Sequence, residues 1–211
     1  MEHEPEAPPP PPPSSGGPVA ASAALLLLGA GAILVAARGA REEPAPPPPV
    51  LGEVPPFSLV ERHGATVTRD SLRGRVWIAD FVFTSCAGVC PEMSLRMAAV
   101  QAAVAEDPGT VCVTVTVDPE RDTPEVLRAY ADLYGASADR WLYLRGTQEE
   151  AHRLQFDGFK MGDGKDPLLH SQRFVLVDRE GRIRGWYPGT EEEGVRALLR
   201  DWRGLRDERA P

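Results

Sequence analysis

The chain has 211 residues, a formal net charge of −8, and 42% hydrophobic against 26% charged residues. That balance excludes a nucleic-acid binder built on a basic stripe, because no cluster of Lys and Arg is present to neutralise phosphates. Lys occurs only at Lys160 and Lys165, and no internal repeat is visible.

In chain order, residues 1–18 (MEHEPEAPPPPPPSSGGP) have no large apolar side chain beyond Met1 and read as a disordered Pro-rich tail. Residues 19–37 (VAASAALLLLGAGAILVAA) form a stretch of 19 without a charge, a length that suits one bilayer crossing. A cleaved signal peptide opens on basic residues, whereas Glu2, Glu4 and Glu6 stand here, so an uncleaved transmembrane anchor is expected. Residues 38–50 are a Pro-rich linker, and residues 51–206 have the size of one domain with a proper core. The charge rule sets Arg38 and Arg41 on the cytoplasmic side, which runs against the outward-facing domain that the chemistry below favours.

Within the domain, Val76 to Phe83 is nearly all apolar, as a strand covered on both faces should be, with Asp80 as its one oddity. Pro91 opens a helix that runs to the breakers Asp107-Pro108-Gly109. Val111 to Val117 is a second strand, and Thr123-Pro124 starts a second helix that reaches Leu133. A short run covers Trp141 to Leu144, and a helix spans about Gln148 to Gln155. Arg173 to Val177 and Ile183 to Tyr187 are joined by Asp178-Arg179-Glu180-Gly181, a hairpin signal, and a last helix covers about Glu191 to Leu205. Short strands near Phe57–Leu59 and Ala65–Thr68 suggest an N-terminal ribbon. Two strands linked by a helix imply a parallel pair, and the hairpin adds antiparallel strands, giving an α/β sandwich with a mixed sheet of thioredoxin-like layout.

In such sheets, sites gather beyond the carboxyl ends of the parallel strands. Cys86 and Cys90 follow the first of these strands, Asp118 follows the second, and His170 precedes the hairpin strand. Cys86 and Cys90 form a CxxxC motif whose wider loop lets both sulfurs share one site at a helix start, where the dipole favours thiolate. Soft thiolates select Cu(I) or zinc, and an imidazole completes a three-coordinate site. Structural zinc takes four ligands, and no fourth Cys or nearby His exists, which favours copper. A plain structural disulfide stays open as the alternative for the thiol pair. Cys112 reads as a small core residue, and His3, His63 and His152 as non-functional. Asp118 and Asp122 have a loop and cap role available before the helix at Pro124.

Phe81-Val-Phe-Thr-Ser-Cys86-Ala-Gly-Val-Cys90-Pro91 resembles the copper-site signature of the Sco (SenC) family of copper chaperones. Asp118-Pro-Glu-Arg-Asp122-Thr-Pro124 is similar to that family's DPxxDTP segment, Trp141 to Gly146 to its Trp-containing segment, and His170 to its ligand histidine. The resemblance implies a thioredoxin-like fold and a single-pass anchor in the bacterial inner membrane, with the domain facing the periplasm. It implies copper, as Cu(I) or Cu(II), held by Cys86, Cys90 and His170, with Asp118 and Asp122 in support. It further implies assembly of the dinuclear copper centre of cytochrome c oxidase, with that oxidase subunit, a copper donor protein and a thiol reductant as partners. Many relatives carry Pro where Ala87 stands. A thiol–disulfide oxidoreductase that keeps the acceptor's cysteines reduced is the rival reading, and a copper or redox sensor is a further one. A peroxidase of the peroxiredoxin type does not fit CxxxCP.

Overall fold

The computed structural model describes residues 46–161 and 172–208. The tail, the apolar segment 19–37 and most of the linker lie outside the described residues. Among the described residues no helix is long and apolar enough to cross a membrane.

The described strands form one mixed sheet, and its centre follows directly from apolar content. Val76–Val82 (β4) is buried at every position, as its continuous apolar run requires. Thr110–Thr116 (β5) pairs parallel with β4, and Trp141–Arg145 (β6) pairs parallel with β5. Arg173–Val177 (β7) lies antiparallel on the other side of β4, and Arg182–Pro188 (β8) closes the hairpin. Gly52–Glu53 (β1) adds to β8, while Ser58–Glu61 (β2) and Thr66–Thr68 (β3) form the N-terminal ribbon and join through β6. The order is β1-β8-β7-β4-β5-β6-β2-β3.

Alternation along the central strands sorts side chains into two layers. Trp77, Phe81, Val111, Val113, Val115 and Leu144 point to one face, where they meet Phe159 and Val175. Ile78, Cys112, Trp141 and Tyr143 point to the other, beneath Met93, Met97, Leu127, Leu198 and Trp202. The second layer is roofed by Cys90–Ala103 (α1), Pro124–Leu133 (α2) and Glu192–Asp207 (α4). Thr123 caps α2 by accepting the Val126 amide, with Pro124 in the first turn, as Thr-Pro predicts.

Three differences from the sequence reading have physical causes. The run Trp141 to Leu144 is a third parallel strand, held in register against Cys112 to Val115. Gln148–Arg153 (α3) begins on a Thr147–Glu150 capping box but gives way to a π-helical turn over Leu154–Gly158. Gly158 there lies so close to Leu154 and Pro55 that an added Cβ would sit 3.1 Å from each. Helix α1 ends at Ala103, short of Asp107, whose carboxylate instead accepts the Gly109 amide and the Thr110 hydroxyl.

Candidate metal centre

β4 and β5 end in step, Val82 opposite Thr116, so the loops that follow leave the same edge of the sheet. β7 runs the other way, with Val175 opposite Ala79, so its first residue stands at that edge too. The segment of Cys86 and Cys90, the loop of Asp118 and Asp122, and the start of β7 therefore share one rim. His170 lies outside the described residues, as does everything between Met161 and Gln172.

The two thiols are unbridged and differ in environment. Cys90 is the first residue of α1 and is fully buried, whereas Cys86 is half-buried between the exposed residues Ser85 and Ala87. Burial opposes ionisation of Cys86. Hydrogen bonds from the Cys90 thiol and from the amides of Cys90, Gly88 and Val89 outweigh it and hold Cys86 below the ordinary thiol range. These amides stand at a helix start, where no preceding turn supplies carbonyl partners, so they favour an anion. Cys90 goes the other way: burial, then its bond to the Cys86 sulfur, push its thiol up to about 12, and the charges of Cys86 and Asp80 add to this. The arrangement is an accessible outer thiol, held towards its anion, over a covered inner one.

Two adjacent sulfurs with one accessible from solvent suit a soft metal ion. Among the described residues no group of three or more His, Cys, Asp and Glu is arranged to hold a metal, so any ion held by the thiol pair would need a further ligand from elsewhere.

Asp118 and Asp122 divide their work. Asp118 Oδ2 accepts from Arg121 at 2.8 Å, and the Asp118 amide donates to the Thr116 hydroxyl. Asp122 is fully buried and accepts from Thr84 and Thr116. Cys112 is buried, and its thiol is pushed up by that burial, which leaves it inert as expected. His152 pairs with Gln148 at 2.7 Å, and the His63 amide donates to Glu61.

Three residues near the thiols have more to do than their sequence context suggests: Thr84, Thr116 and Asp80. Asp80 is fully buried on the α1 face, accepts the Thr114 hydroxyl at 2.6 Å through Oδ1, and has no partner at Oδ2. Trp141 Nε1 donates to the same Thr114 oxygen, so the hydroxyl hydrogen is left for Asp80. A carboxylate inside an apolar run is the available signal for Asp80; nothing in the sequence marks the threonines.

The sequence profile described as SCO1/SenC matches residues 49–202. The SCO1 protein homolog of Bacillus subtilis is 34% identical over 155 residues, which span 71% of this chain and 80% of that protein. Among solved structures, BsSco is described with a disulfide switch and as a member of the Sco family of cytochrome c oxidase assembly proteins. It is 31% identical with a TM-score of 0.66, over 76% of this chain and 96% of that one. ScoI of Bradyrhizobium japonicum with copper bound is 26% identical with a TM-score of 0.58, over 70% of this chain and 98% of that one. With the fold, the thiol rim and a family match over residues 49–202 in agreement, the chain belongs to the SCO1/SenC family.

Proposed function

We propose that this protein is a copper chaperone in which Cys86, Cys90 and His170 hold the ion for delivery to the dinuclear copper centre of cytochrome c oxidase. The observation that carries the reading is the unbridged thiol pair at the start of α1, with Cys86 accessible and held towards thiolate. Thiolate is the ligand form, and copper captured at an accessible sulfur can pass to an acceptor's own soft ligands one bond at a time. The copper-bound relative and the oxidase-assembly description of BsSco support the cargo and the acceptor. In this reading residues 19–37 anchor the chain in the bacterial inner membrane, residues 38–50 space the domain from it, and the domain faces the periplasm.

A second reading is favoured by the asymmetry of the pair. A lowered outer thiol and a raised inner one suit a nucleophile and a resolving thiol, so thiol–disulfide exchange with the acceptor is open to the same residues. Cu(I) stoichiometry and affinity, measured for the parent, Cys86→Ser, Cys90→Ser and His170→Ala, separate the two. Chaperone function predicts one copper per chain and weaker binding in all three variants. Parent-like copper affinity in His170→Ala would remove the three-ligand site, and retained reductase activity in that variant would favour exchange. A reporter fused to the C-terminus tests the orientation, and a cytoplasmic signal would overturn it.

A further inference from the structure

Among the described residues the hydrogen bonds to the buried Asp122 carboxylate come from Thr84 and Thr116, both as donors. Thr84 offers its amide to both oxygens, at 3.3 and 3.2 Å, and its hydroxyl to Oδ1 at 2.5 Å. The Thr116 hydroxyl accepts the Asp118 amide at 3.1 Å and gives its own hydrogen to Asp122 Oδ2. The carboxylate thereby ties three segments together: the last residue of β5, the loop ahead of α2, and the residue two positions before Cys86. Helix capping does not account for this burial, because α2 is capped by Thr123. A carboxylate buried away from water is tolerated only against such a set of donors, and most of that set belongs to Thr84.

Thr84 holds the thiols through its neighbour. The Phe83 amide reaches the Cys90 sulfur, and the Phe83 carbonyl accepts the Cys86 amide at 3.2 Å. Pinning the Thr84 amide pins the peptide plane it shares with the Phe83 carbonyl, and so the scaffold on which both cysteines hang. We infer that Asp122, acting through Thr84, is a positioning residue that sets where the Cys86 and Cys90 sulfurs sit relative to each other. The inference deepens the proposed function, and its thiol readouts stand apart from copper.

The test uses the full chain, reduced, as Asp122→Ala, Thr84→Val and Thr84→Ser. Three quantities are measured: the alkylation rate of Cys86, the equilibrium of the Cys86–Cys90 pair with glutathione, and Cu(I) affinity against a chromophoric chelator. Urea denaturation reports stability alongside. Asp122→Ala and Thr84→Val shift the disulfide equilibrium about tenfold, equivalent to about 30 mV, and weaken Cu(I) binding by about 10- to 100-fold. Thr84→Ser, which restores the hydroxyl, returns both to near the parent. Loss of stability with parent-like alkylation and disulfide equilibrium would overturn the inference and leave Asp122 a structural residue. Should Asp122→Ala not fold, the Thr84→Val and Thr84→Ser pair decides the question. A parent that binds no copper, with variants that still shift the disulfide equilibrium, would sink the chaperone reading and sustain the positioning role.

Discussion

Asp80 stands within β4, a strand buried at every position, and burial raises its carboxyl to about 7 against the favourable Thr114 bond. The sign of the consequence follows from linkage. Below about pH 4 the group is protonated in both the folded and the unfolded chain, and its burial carries no extra cost. As pH rises from there to about 7 the unfolded chain ionises first, so the folded state binds the extra proton and stability falls. Above that the full penalty is present, on the order of 4 kcal/mol. Asp80→Asn keeps an acceptor for Thr114 and cannot ionise. It is expected to be more stable than the parent at pH 8, with the gap closing towards pH 5, in urea titrations at both values. An equal gap at the two pH values would show that Asp80 is not the titrating group. The thiols make a second forecast at this scale. Brief alkylation of the folded, reduced chain at pH 7 labels Cys86 first and Cys90 slowly, and Cys112 only after denaturation, as mass mapping of the labelled peptides would reveal.

Among the elements, α4 shows how packing overrides propensity. Gly194 lies in its first turn, where alanine normally helps a helix by up to about 1 kcal/mol. Here an added Cβ would come within 2.1 Å of the Pro188 carbonyl oxygen and 2.9 Å of its carbon, both backbone atoms that cannot rotate away. Gly194→Ala therefore prises α4 off the end of β8, and we expect a loss of more than about 1 kcal/mol in chemical denaturation where propensity alone forecasts a gain. Such close approaches are not written in a sequence. What is written there are features with local causes: β4 through its unbroken apolar run, α2 through Thr123-Pro124, and the β7–β8 turn through Asp178 and Gly181. The strand at Trp141 to Arg145 is too short to declare itself, because its identity depends on pairing with β5. The rim was legible because strand direction alone brings the CxxxC segment, the DPxxDTP loop and the β7 start to one edge. The grip of Asp122 on Thr84 was not, since two loops 38 residues apart meet only in three dimensions.

At the scale of the whole domain, the sheet's two ends carry separate duties. The thiols stand beyond the carboxyl ends of β4 and β5, while the opposite end is closed by Arg184, which is almost fully buried. Its guanidinium donates to the Pro48 carbonyl at 2.7 Å, to Asp178 at 2.8 Å, and to Glu208 at 2.9 and 3.2 Å. One side chain thus joins the chain's approach to β1, the hairpin turn and the end of α4. This end is remote from the rim because Ile183 pairs with Val177, which itself lies opposite Trp77 near the start of β4. Removing one partner of a buried pair leaves the other without compensation, a loss of about 3–5 kcal/mol when nothing replaces it. Asp178 retains Arg182 at 2.7 Å, so Arg184→Met is expected at or below the low end of that range. Because nothing in this clasp touches the thiol loop, Cys86 alkylation and the disulfide equilibrium of the folded variant should match the parent. Denaturation midpoints and alkylation rates on the same preparation check both halves of the forecast. A variant that lost thiol reactivity along with stability would mean that the two ends of the sheet are coupled, and that the rim takes its geometry from the whole domain rather than from Asp122 and the loops beside it.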